Sequence, residues 1–339
     1  MSLPRTVLLS LALTSVVALG LAVSASLPQG APSVRNFEFT YLARITKLPE
    51  GAKTLRLWIP LPQTDPYQKI RGLKIESPVR YTRHREPEYG NEYLYLEVPA
   101  AKIKVPFGVQ MSFEVSRRER RVQLGSAQVK PASTGGDPPA VARFLQPDRL
   151  VPTSGLIAAL AEQETRGLKT PLEKARTIYN YVVSTMRYDK SGEGWGRGDA
   201  IFACTAKRGN CTDFHALFIG MMRASGIPAR FEIGFPLPAD QHQGSIAGYH
   251  CWAQFYVEPY GWIPVDASEA WKNPAKRDYF FGAHDDNRVQ FTVGRDIRLR
   301  PAQQGEPLNY FIYPYTELDG KPFAVESKFS FRDLGSKAD

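Results

Sequence analysis

Residues 208–235 read RGNCTDFHALFIGMMRASGIPARFEIGF, and the fold follows from how this stretch divides. The spacing predicts a helix from about Thr212 to Ser225, with Gly226 as its stop and Pro228 just beyond. Ala229–Phe235 then reads as a strand. Cys211 stands at the very start of the helix, where unsatisfied backbone N–H groups and the positive end of the helix dipole meet. Both favour thiolate over thiol, which makes a cysteine nucleophilic near neutral pH. Gly209, two residues earlier, permits a sharp turn and a close approach by a substrate backbone. An inert structural cysteine belongs in the middle of a helix face, so the tip position favours a reactive one.

A thiolate needs a proton carrier and a group to orient that carrier. His250 follows in GYHCWAQF (248–255) and Asp266 in GWIPVD (261–266). His250–Val257 and Trp262–Asp266 read as strands joined across Pro259-Tyr260-Gly261. Alternation puts His250, Trp252 and Gln254 on one sheet face and Cys251, Ala253 and Phe255 on the other. His250 and Cys251 are therefore not expected to face the helix tip together. A tight turn offsets His250 from Asp266 by about three residues, near 10 Å, so twist or a bulge has to close the gap.

Upstream, Thr170-Pro171-Leu172-Glu173 is a helix start, with Thr as cap and Glu able to bond back. An earlier helix is expected near Ser154–Thr165. Residues 34–125 read as β, from alternating runs such as Phe37–Tyr41, Leu55–Ile59, Tyr93–Val98 and Val109–Val115. They suggest an antiparallel β-sandwich of immunoglobulin type. Residues 126–140 have the Gly, Pro and small polar residues of a linker. A catalytic α+β domain is expected over 141–300, helices first and antiparallel strands after, with a C-terminal β tail (301–339) packed on that core.

The chain has 339 residues, three cysteines and 43% hydrophobic residues, which excludes a disulfide miniprotein and allows sizeable cores. Its one long apolar run, Val7–Val23, follows Arg5 and precedes the small residues Ser24-Ala25-Ser26. Residues 1–26 read as an export signal, the alternative being an uncleaved anchor facing the periplasm. Removing them takes the net charge from +9 to +8, a basic balance suited to anionic envelope polymers or membrane surfaces. The densest cluster, Arg117-Arg118-Glu119-Arg120-Arg121, reads as a solvated strand end. No aromatic–basic interleaving points to nucleic acid.

GNCTDFHALFIGMMRASGIPARFEIGF and GYHCWAQFYVEPYGWIPVDAS resemble the core of the transglutaminase-like superfamily, over roughly residues 150–270. The resemblance implies a papain-like α+β fold preceded by a β domain, a Cys211 nucleophile, a His250 base and an orienting Asp266. It also implies a thioester intermediate formed on protein or peptide amides, resolved by an amine or by water, with no cofactor. Trp195 is a candidate second oxyanion donor beside the Cys211 N–H. Cys204 and Cys251 are a possible disulfide, and Trp252, Trp262 and Tyr249 are candidate walls of the site. A zinc site using Cys211, His215 and His250-Cys251 is disfavoured by the strand alternation. His215 is expected to be packed or bonded to backbone, and Pro236–Ala247 to form a lid. The competing functions are a protease or amidase of envelope peptides and a catalytically silent envelope module.

Overall fold

The computed structural model describes residues 31–125 and 141–335. In chain order its strands and helices are β1 (Val34–Ile45), β2 (Thr54–Pro60), β3 (Gln68–Glu76), β4 (Thr82–Arg85), β5 (Glu92–Pro99), β6 (Phe107–Arg118) and β7 (Arg120–Arg121). Then come α1 (Gly155–Thr165), α2 (Pro171–Thr185), β8 (Arg187–Tyr188), α3 (Ala200–Ala206), β9 (Arg208–Gly209) and α4 (Cys211–Ala224). They are followed by β10 (Ala229–Pro236), β11 (Gln243–Ile246), β12 (His250–Val257), β13 (Gly261–Val265), α5 (Ala267–Lys272), β14 (Ala283–His284) and β15 (Arg288–Val293). The last three are β16 (Tyr315–Leu318), β17 (Lys321–Pro322) and β18 (Glu326–Asp333). The fold is mixed α+β with many antiparallel pairs, as the patterning predicts.

Alternation builds the N-terminal sandwich. Phe37, Phe39, Tyr41, Ala43 and Ile45 point inward from β1 and meet Val115, Phe113, Met111, Val109 and Phe107 across the β1–β6 ladder. The two five-stranded sheets run β11-β18-β1-β6-β3 and β17-β16-β2-β5-β4. Trp58, Tyr93 and Tyr95 face outward from the second sheet and are covered by Ile297, Leu299 and Phe311.

The C-terminal tail packs on the core as expected, with Phe329 4.2 Å from Phe235 and Tyr310 6.4 Å from Phe231 between ring centroids. It also completes the sandwich, which was not expected: β18 pairs with β1 and β16 pairs with β2. The physical reason is that each of these strands would otherwise leave one row of backbone groups unpaired. Phe329, on β18, also meets Tyr41 at 4.8 Å between ring centroids. β11 pairs in turn with β18, so the segment expected to be a lid is tied down. Arg35 adds a hydrogen bond to the Pro238 carbonyl at 3.0 Å.

The Arg117–Arg121 cluster is only in part a solvated strand end: Arg118 and Arg121 are exposed. Arg117 is buried, and Arg120 donates to Gln254 Oε1 at 2.8 Å and to the Trp262 carbonyl. Arg120 thus reaches from the sandwich to the sheet that carries Gln254 and Trp262, its long stem taking the charge to acceptors inside.

The C-terminal half is built on a four-stranded sheet, β13-β12-β10-β15, with α4 laid across it. Every residue of α4 from Cys211 to Arg223 is buried, so α4 is the central helix of this half. The cap predicted for α2 is present: Thr170 Oγ1 accepts from the Glu173 N–H at 3.2 Å, and Glu173 reaches back to the Thr170 N–H at 2.9 Å.

A register shift at Ile233/Gly234 bends β10 against β15, next to the site. Gly234 is needed there because a Cβ would meet the Val289 carbonyl oxygen at 1.8 Å. Gly234→Ala should therefore cost about 3 kcal/mol or more, read as a fall in the urea midpoint. An unchanged midpoint would contradict the packing at this bulge.

The apolar run at the N-terminus and residues 126–140 lie outside the described residues. Among those described, no helix is long and apolar enough to cross a membrane.

Candidate active site

The tip of α4 is built by Gly209, Asn210, Cys211 and Asp213. Asn210 caps the helix, its Oδ1 accepting from the Thr212 N–H at 2.9 Å. Asp213 reaches back to the Asn210 N–H at 2.9 Å and also accepts from the Gly196 and Gly198 N–H groups at 2.7 and 3.0 Å. Its carboxylate thus ties the glycine-rich loop 192–198 to the helix. Gly209, at φ +149°, leaves the room this needs, since a Cβ there would meet Asp213 Oδ2 at 2.2 Å. Cys211 is consequently fixed as the first helical residue, with its own N–H lacking an intrahelical acceptor.

His250 opens β12, and its Nε2 lies 2.8 Å from Asp266 Oδ2. The offset is smaller than the sequence suggests. Val257 pairs with Gly261 and Ala253 with Val265, which sets Asp266 level with Trp252, two residues from His250 on the same face. A diagonal pair of that kind is within side-chain reach without any bulge. Asp266 also caps α5, accepting from the Glu269 N–H at 3.1 Å, so its carboxylate is held at both oxygens.

Electrostatics complete the site. Burial pushes the Cys211 thiol up, but hydrogen bonds from Cys251 and His250 and the charge on His250 outweigh this and hold it well below the ordinary thiol value. Burial pulls His250 down; Asp266, by charge and hydrogen bond, and then Cys211 push it up to about 10. Asp266 is raised by burial yet ends well below the carboxylate range, through the charges of His250 and Arg288 and the His250 hydrogen bond. The shifts of Cys211 and His250 both favour thiolate and imidazolium over the neutral pair. With Nε2 committed to Asp266, Nδ1 is the nitrogen left to exchange a proton with Cys211.

Arg288 escaped the sequence reading. It is buried, donates to Asp266 Oδ2 at 3.1 Å and to Asp285 Oδ1 at 3.1 Å, and stacks 4.7 Å from the Trp252 ring. A lone Arg on a late strand carries no local signal. Only the β10–β15 pairing brings it under Asp266.

His215 is held as expected, between backbone groups: Nδ1 lies 2.8 Å from the Cys211 carbonyl, and Nε2 accepts from the Ala267 N–H at 3.1 Å. That leaves the ring neutral, and burial lowers it further.

Several expectations are corrected. All three cysteines are free, so Cys204 and Cys251 form no disulfide. Cys251 Sγ instead lies 3.7 Å from His215 Nδ1. Both His250 and Cys251 are nonetheless close enough to Cys211 to lower its thiol. The helix crosses the face that carries Cys251 and Phe255 (Phe218 is 6.2 Å from Phe255), while His250 at the strand end reaches round to the tip.

Trp195 is not an oxyanion donor, because its indole N–H is bonded to the Gly192 carbonyl at 3.0 Å. Trp195→Phe should leave kcat within about twofold of wild type, whereas an oxyanion donor would cost 10²-fold or more. A loss of that size in single-turnover acylation would restore the role.

Trp252 and Trp262 are not walls either: Trp252 is fully buried and donates to Glu232 Oε2 at 2.7 Å, and Trp262 packs on Phe144 at 5.2 Å. Tyr249 does border the site, its hydroxyl accepting from Asn210 Nδ2 at 3.1 Å. His284 is fully buried, with its Nε2 3.1 Å from the Val265 carbonyl.

With this geometry in place, comparison with known proteins gives the class. Residues 158–267 match the family model of the transglutaminase-like superfamily, and the core of the chain is a transglutaminase-like domain. An uncharacterized protein of Haemophilus influenzae is 28% identical over 320 residues, 84% of this chain and 86% of that one. YebA of Bacillus subtilis, also uncharacterized, is 26% identical over 134 residues, 35% of this chain and 18% of its own length. A crystal structure from Cytophaga hutchinsonii, of a protein assigned without demonstration as a cysteine protease, superposes with a TM-score of 0.61. It covers 92% of this chain and 93% of its own at 15% identity, a likeness of fold.

Proposed function

We propose that this protein is an exported thiol enzyme that cleaves or transfers protein or peptide amides through a thioester on Cys211. The observation that supports it is the buried pairing of His250 with Asp266 at 2.8 Å beside a cysteine at a helix tip. A binding module has no use for a buried carboxylate, an imidazole raised to about 10 and a depressed thiol in one place.

In the proposed reaction the Cys211 thiolate attacks the amide carbonyl. The negative charge that develops on oxygen is met by the Cys211 N–H at the positive end of α4. Collapse breaks the C–N bond, and His250 gives its proton to the departing amine. Asp266 stabilises the imidazolium before that transfer and orients the neutral ring after it. A lysine amine or a water then attacks the thioester, losing its proton to His250, and Cys211 leaves as thiolate. Export rests on the apolar sequence Val7–Val23 behind Arg5. Envelope peptides are the substrates such an address would offer.

The experiment is an assay of one peptide set, with and without a primary amine. It follows ammonia release, amine incorporation and backbone cleavage by mass spectrometry. Any of the three products, lost in Cys211→Ala, supports the thioester reading and identifies its acceptor. A labelled Cys211 with no product from a broad amide library would overturn it.

A further inference from the structure

Charge is divided unevenly along this chain. Residues 31–125 hold 17 Lys and Arg against 10 Asp and Glu, whereas residues 141–335 hold 23 against 22. The surplus in the sandwich is concentrated further. Lys69, Arg71, Lys74, Arg80, Arg83 and Arg85 fall within 17 residues that contain one acid, Glu76. All six are exposed. Among the described residues, only Arg85 of the six meets a carboxylate, that of Glu92.

The topology gathers them. β3 is the last strand of one sheet and β4 the last strand of the other, and five residues, 77–81, join them. Both strands therefore lie at one margin of the sandwich, a basic strip about 30 Å long, by the rise of a nine-residue strand. Tyr81, 37% exposed, stands in the link.

Charged edges commonly protect a sheet against strand addition. That purpose is served by either sign, and it does not account for six cations and one acid. The opposite margin shows that this protein has another way to blunt an edge: β11 there is Gln-Gly-Ser-Ile, without charge, and β17 is the two residues Lys321-Pro322, with a single cation.

We propose that the β3–β4 margin is a docking surface for an anionic phospholipid membrane. The strip is a strand edge whose cations, all but Arg85, meet no carboxylate among the described residues, which suits a plane of headgroup phosphates. Tyr81 presents a ring with a polar tip, the kind of side chain that settles at the headgroup level. A nucleic-acid strand would call for bases stacked between the cations, and the strip offers one aromatic for six charges. The inference is independent of the chemistry at Cys211.

The test is co-sedimentation of the full chain with vesicles of phosphatidylcholine, alone or containing about one-third phosphatidylglycerol. The variant replaces Arg71, Arg80 and Arg83 by Gln, three exposed residues outside the catalytic site. Wild type should bind the anionic vesicles at least tenfold more tightly than the neutral ones. That preference should disappear at about 0.5 M salt and fall at least fivefold in the variant. Insertion of the apolar N-terminal run would not distinguish the two lipids. Equal binding to both, an unchanged preference in the variant, or capture by dextran sulfate with none by vesicles would each overturn the proposal.

Discussion

Cys211→Ala should abolish turnover, lowering kcat/KM by about 10⁴-fold or more while leaving the fold in place. The size follows from the role, since removing the nucleophile of a thiol or hydroxyl triad leaves only what binding and the oxyanion site contribute. The fold should survive because the α4 tip is held by Asn210 and Asp213, not by sulfur. Product release in steady state, with a thermal melt as control, checks both parts. Full turnover in the variant would remove Cys211 from the mechanism whatever else the site contains.

Asp266→Asn is expected to have the second largest effect, and it acts on both activity and stability. An amide in place of the carboxylate removes the charge that holds His250 at about 10, and it lets the ring settle in the wrong tautomer. A loss of about 10³–10⁴-fold in kcat is expected. Arg288, buried and 3.1 Å from Asp266 Oδ2, would lose one of its two carboxylates, at a cost of about 3 kcal/mol.

The pH dependence of that second effect has a definite sign. The folded value of Asp266 is depressed, so its contribution is full above the ordinary carboxylate range and is lost as pH falls through the folded value. Wild type and variant should therefore differ most in urea midpoint near neutral pH and converge in acid. A constant difference across that window would mean that the ionised carboxylate is not what stabilises the pair.

The parts of the site that lie on periodic elements were legible in the sequence. Helix-start chemistry at Asn210 and Cys211 and strand alternation through His250 are local signals, and the helix and strands fall within a residue or so of their expected ends. What was not legible depends on tertiary pairing. The His250–Asp266 contact hinges on the loop that sets the β12–β13 register, and one residue of error there turned a direct contact into an apparent gap. Arg288 is visible only once β15 lies beside β10. The tail was half legible for the same reason: its packing on the core was expected, but β16 and β18 alternate like any strands, and nothing in their sequence says which edge they complete. Trp195 shows the converse error, where an aromatic in a glycine-rich loop suggested a role that a local bond to Gly192 already occupies.

The central claim is that a sulfur at the α4 tip is ionised because an imidazolium, itself charged through Asp266, stands beside it. The most direct measurement is the rate of iodoacetamide alkylation at Cys211 as a function of pH, mapped by peptide mass spectrometry, in wild type and in His250→Ala. Wild-type reactivity should persist well below the ordinary thiol range and change again near pH 10, as His250 loses its proton. In His250→Ala the profile should return to a single rise near about pH 8.5. A wild-type profile that already rises there, or label found on Cys204 or Cys251 in place of Cys211, would contradict the account.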